Sequence, residues 1–154
     1  MNRRTSVRVH EPQKGESHMK QAATLTTASL LTILFMTFHL TGDILFRMAP
    51  AGLVNLLAVF IFVVQLYGTL VLGGRRAGYI IIFLGSALAL VVPVVHMKGT
   101  RGVIGGDIGT SSQAFLFVWT ILALGITATF SVILSASALL SLPWRRSRRA
   151  SPAA

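Results

Sequence analysis

The stretch GYIIIFLGSALALVVPVVHM, residues 78–97, decides what kind of protein this is. Its twenty positions carry no Asp, Glu, Lys or Arg. About 20 apolar residues are what a helix needs to cross about 30 Å of hydrocarbon. Lipid offers the backbone no hydrogen-bond partners, so a segment of this kind satisfies its own backbone as a helix. The alternation of period two that marks a transmembrane barrel strand is absent.

Three more apolar runs lie around it, at 22–46, 52–73 and 113–140. Short breaks separate them. "RMAPAG" (47–52) lies between the first and second, and "GGRRAG" (73–78) between the second and third. The segment 98–112 is longer and holds five glycines. Helices joined by short turns are antiparallel neighbours. The expectation is therefore an all-α membrane protein, an antiparallel four-helix transmembrane bundle over residues 21–142. A basic tail of residues 1–20, expected to be disordered, and a second basic tail of residues 143–154 flank it.

Composition agrees. Of 154 residues, 53% are hydrophobic and 12% charged, against about a quarter charged in soluble domains. Mean hydropathy is +0.72. There is no cysteine, which excludes disulfides, iron–sulfur clusters and thiolate catalysis.

The net charge of +10 is distributed unevenly. Arg3, Arg4, Arg8, Lys14, Lys20, Arg75, Arg76, Arg145, Arg146, Arg148 and Arg149 share one side of a four-pass chain, and they are 11 of the 14 basic residues. Arg47, Lys98 and Arg101 are on the other. The positive-inside rule then places both termini in the cytoplasm, in what reads as a bacterial inner membrane. Attraction to anionic lipid explains the tails. No groove-reading or aromatic motif accompanies the charge, so nucleic acid is not expected as a partner.

Small residues mark the contact faces: Gly85 with Ala89, Gly125 with Thr129, and Ser131 with Ser135. Such pairs let helix backbones approach closely in lipid. Thr24, Thr27, Thr32, Thr127 and Ser131 can each bond to a carbonyl of their own helix. Pro93 frees the carbonyl of Ala89 and is expected to bend its helix.

One stretch departs from this pattern: FHLTGDILFR, residues 38–47. His39, Asp43 and Arg47 are spaced by four and stack on one helix face. With the termini inside, they lie near the outer boundary, where burying charge costs less than at the bilayer centre. His96 ends the third segment at similar depth. Asn55 in the second segment and Gln113, Trp119 and Thr120 in the fourth are expected to converge there too. Gln65 falls near the middle of the second segment and is expected to bond between helices. Arg47, Gln113 and Gln65 are read as structural polar partners. His39, Asp43, His96 and Asn55 are the candidate ligand-binding residues.

Three readings of the outer cluster stay open. It can be a satisfied polar cluster with no further role. It can hold haem b between two histidines, or a metal ion on His39, Asp43 and His96, with Met36, Met48 and Met97 suiting copper if they point inward. It can also hold a quinone or handle protons. Catalysis has little support. No GxSxG serine and no pair of intramembrane carboxylates is present, and "GVIGGDIG" (102–109) lacks the strand and lysine of a phosphate loop. The expected role is that of a non-enzymatic accessory or assembly subunit, associated with lipid and with other membrane chains or copies of itself. The alternative is a haem-, metal- or quinone-binding membrane protein. In size and four-pass plan the chain is similar to several small bacterial inner-membrane groups, the DoxX-like proteins among them.

Overall fold

The computed structural model describes residues 13–45, 52–96 and 112–142. It is all-helical over those residues, with four helices: α1 (Gln13–Leu45), α2 (Val54–Leu70), α3 (Arg76–His96) and α4 (Ser112–Ser141). Three of them carry stretches long and apolar enough to cross a membrane: Met19–Leu45, Arg76–His96 and Phe115–Ser141. The architecture is compatible with a multi-pass membrane protein. Large apolar side chains cover the outside, among them Phe38, Phe60, Leu84, Val94, Phe115, Ile126 and Phe130. Exposed apolar surface of that extent suits lipid, not water.

Helix α2 is shorter than its apolar run. It has 17 residues, about 25 Å at 1.5 Å per residue, against the 22 positions of the run at 52–73. The chain leaves the helix at Val71. The amides of both Val71 and Leu72 donate to the carbonyl of Tyr67, and Arg75 donates to Leu72. Gly74 then takes a left-handed conformation, φ 77°, which favours glycine. Hydropathy counts these turn residues as span because Val71 and Leu72 are apolar. At the other end of the chain, α1 begins at Gln13, so residues 13–20 of the expected disordered tail are helical. An exposed Glu16–Lys20 pair at 2.7 Å supports that turn by a few tenths of a kcal/mol.

Helix α4 packs along both α1 and α3, while α2 leans mainly on α3 and more lightly on α1. Small residues make this possible. Ser29, Ser86, Ala89, Ala128, Ser131 and Ser135 are all buried. Ala89, Leu124 and Ala128 form the apolar centre, with Phe35, Met36, Leu90 and Val92 against it. A side chain on Gly125 would touch the Pro93 ring, and one on Gly68 would overlap Ile81.

The hydroxyls satisfy themselves first. Thr24, Thr32, Thr127, Ser131 and Ser135 each donate to a carbonyl of their own helix. Several also reach across. Gln65 donates to Ser29 and Ser86, and Ser29 shares a 2.7 Å bond with Thr69. Thr32 meets Ser131 at 3.4 Å. One amide thus ties α1, α2 and α3 together. Interhelical bonds of this kind contribute about 0.6 kcal/mol each in lipid.

Candidate functional site

His39 and Asp43 lie on consecutive turns of α1. His39 is six residues before the helix end, about 9 Å at 1.5 Å per residue. Asp43 belongs to the last turn. His96 is the final residue of α3. The ends of two helices therefore deliver three ionisable side chains to one place.

The geometry is close. His39 Nε2 lies 3.3 Å from Asp43 Oδ2, and His96 Nε2 lies 3.8 Å from the same oxygen. One donor atom from each residue fits within 4.8 Å of the others. The two imidazoles meet edge to face, with ring centroids 4.7 Å apart. Phe117, in the second turn of α4, packs against both, at 5.2 Å from His39 and 5.7 Å from His96. His39 is 3% exposed and Phe117 also 3%.

Hydrogen bonding here is incomplete. His96 Nδ1 lies 2.9 Å from the carbonyl of Val92. Donation to that carbonyl makes Nε2 the nitrogen with the lone pair, and Nε2 faces Asp43. Both ring nitrogens of His39 and Oδ1 of Asp43 are buried with no hydrogen-bond partner in the protein. His39 Nε2 and Asp43 Oδ2 are 3.3 Å apart without forming a hydrogen bond. Buried polar atoms are nearly always satisfied, and leaving one without a partner costs about 1–3 kcal/mol. Three such atoms fall in this one cluster. Of the expected self-satisfied arrangement, the carbonyl bond of His96 is present, the one for His39 is not, and the Asp43–Arg47 pair lies outside the described residues.

A cavity of about 230 Å³ opens beside the cluster. His39, Asp43 and His96 line one part of it, Gln65 and Thr32 another, and the remaining wall is largely apolar, including Met36 and Phe62. Not every residue expected in the cluster is there. From α2 the wall takes Ala58, Ile61, Phe62 and Gln65, and not Asn55. Trp119 is 57% exposed and turns outward, while Thr120 is buried and bonds the carbonyl of Phe117. Arg47, the Gln113 side chain, Met48 and Met97 lie outside the described residues, so the partners seen for Asp43 are the two histidines. Phe117 was not anticipated. Nothing in an apolar run distinguishes the phenylalanine that will pack on two imidazoles from those that will face lipid.

The donor set tests the candidate groups. Two imidazole–metal bonds in line hold their nitrogens about 4 Å apart, and haem needs its flat macrocycle between the two rings. Here the two rings touch each other edge to face, with Phe117 packed against both, which leaves no gap between them for a macrocycle, so the pair does not fit bis-histidine haem. A single ion fits. Metal–nitrogen and metal–oxygen bonds of about 2.0–2.2 Å place tetrahedral ligands about 3.4 Å apart. The His39–Asp43 separation is already at that value, and His96 is a few tenths of an ångström farther from Asp43. The donor nitrogens of the two histidines, within 4.8 Å of each other, would have to close on an ion. The α1 and α3 C-termini add partial negative charge, which favours a cation.

The chain matches no known family model, no curated protein and no solved structure, so its likeness of plan to small bacterial membrane proteins transfers no residue roles.

Proposed function

We propose that this is a multi-pass membrane protein that holds one transition-metal ion on His39, Asp43 and His96. The observation that carries the reading is the convergence of three donor groups, two of which, His39 and Asp43, hold buried ring nitrogens and a carboxylate oxygen with no hydrogen-bond partner. A ligating imidazole usually gives its other N–H to a carbonyl, as His96 does to Val92. Three protein ligands leave a coordination position for water or a small ligand, and the ligands border a cavity. A quinone carbonyl would need one of these donors; it gives no reason for three to meet.

Around this site we propose an antiparallel four-helix arrangement with both termini cytoplasmic, in a bacterial inner membrane. Contacts support the antiparallel order. Gln65 meets Gly85, Gly68 meets Ile81, and Gly78 meets Leu72, so positions rise along α3 as they fall along α2. The start of α4 at Phe117 meets the ends of α1 and α3. The 11 basic residues of the tails and of the turn before α3 support the orientation. The site then lies near the outer face. A role as an accessory subunit of a larger complex rests on no particular contact, because the apolar faces suit lipid and a neighbouring chain equally.

The test is metal content. The full chain, purified in mild detergent and equilibrated in turn with Zn(II), Co(II) and Cu(I), is freed of unbound ion and analysed by mass spectrometry. One tightly held ion per chain is expected for at least one of the three. A folded protein that retains none overturns the reading. Phe117→Ala should weaken binding about tenfold without changing the stoichiometry, as loss of a group that orients the ligands does. Competition with a chelator of known affinity measures it, and an unchanged affinity would reduce Phe117 to filler.

A further inference from the structure

We propose that the ion is copper in its cuprous form, with the soft thioether of Met36 joining the imidazoles of His39 and His96 as ligands and Asp43 supplying the counter-charge. This rests on the metal-centre reading above.

Met36 lines the same cavity as His39, Asp43 and His96. It precedes His39 by three residues and Asp43 by seven, so all three share one face of α1. Side chains three apart have their Cβ atoms about 5–6 Å from each other. The methionine thioether sits on three rotatable bonds, which gives it the reach to share an ion with His39.

Chemical softness and charge then select the ion. Thioether sulfur favours Cu(I), and imidazole accepts copper readily. Zinc is bound by thiolate, imidazole and carboxylate, and a neutral thioether adds little to it. The cluster holds one carboxylate. A divalent ion there would leave one positive charge uncompensated in apolar surroundings, where isolated charge is costly. A cuprous ion with Asp43 is neutral. The chain has no cysteine, so any sulfur on the ion must be methionine. Met19 is 69% exposed near the other end of α1, which leaves Met36 as the methionine placed at the site among the described residues.

The experiment compares ions and variants on the full chain in detergent. Cu(I) and Zn(II) affinities are read by competition with chromogenic chelators without oxygen, and the neighbours of bound copper by X-ray absorption. Wild type is expected to hold one Cu(I) with a sulfur neighbour. Met36→Leu, which preserves size, should lower Cu(I) affinity at least about tenfold and change Zn(II) affinity by less than about twofold, following the preference of soft ligands for soft ions. The sulfur signal should vanish in that variant and persist in Met48→Leu/Met97→Leu, which decides the matter even if Met36→Leu does not fold. A Met36→Leu protein that loses both ions alike, or loses neither, overturns the proposal, as does absence of sulfur in wild type or its loss in the double variant. Wild type that holds Zn(II) or Co(II) and not Cu(I) overturns the copper assignment and leaves the metal centre standing. Wild type that holds no ion overturns both.

Discussion

With His39 replaced by leucine, metal affinity should fall by at least about 100-fold, or about 2.7 kcal/mol, while the metal-free protein loses little stability. The two halves of this expectation come from the same observation. His39 is buried, and neither of its ring nitrogens has a hydrogen-bond partner. Removing a buried polar group that makes no bond relieves an unmet desolvation cost. Leucine also restores apolar contact with Phe117. The second half concerns the ion. A ligand bound only by the folded state stabilises it by about 2.7 kcal/mol at 100 times its dissociation constant. Wild type should therefore gain thermal stability when metal is added, and His39→Leu should not. Melting curves of both proteins in detergent, with and without ion, measure this. The opposite pattern, with His39→Leu unstable in every condition and wild type indifferent to metal, would mean that the cluster only braces the helices.

The second large effect is expected at Gly78. A side chain there would collide with the backbone carbonyls of Leu72 and Gly68. The clash is with main chain, so no rotamer change relieves it. Gly78→Ala must push the start of α3 away from α2 and loosen the turn through Gly74. Overpacking of this kind costs about 1–3 kcal/mol, and the upper end is expected. Gly52→Ala is the control, since nothing lies within 4 Å of its added carbon. Unfolding midpoints in a denaturing detergent compare the two. If Gly78→Ala unfolds with Gly52→Ala and wild type, the close approach of α2 and α3 at this point is wrong.

Much of the fold is legible in residue order alone. The length and apolarity of 78–97 and 113–140 dictate helices, because a backbone in lipid has no other partner. The structure places α3 and α4 within a residue or two of those bounds. The small residues at 85, 89, 131 and 135 are also readable as contact positions, because only small side chains allow close packing. The spacing of four between His39 and Asp43 predicts one helix face, and they share it. Each of these is a local property, settled by neighbours in the chain.

Other features needed the tertiary structure. Hydropathy could not show that α2 ends at Leu70, because the residues that turn the chain are themselves apolar. Gln65 was legible as a residue needing a partner, but Ser29 and Ser86 became its partners only through the packing of three helices. His96 reaches Asp43 because two helices end side by side, 53 residues apart in sequence. Phe117 and Met36 look like any apolar residues of a span until the bundle turns them inward. Whether a polar group in a membrane is satisfied or left open depends on what stands across from it. Periodicity puts a side chain on a face; only packing decides what that face meets.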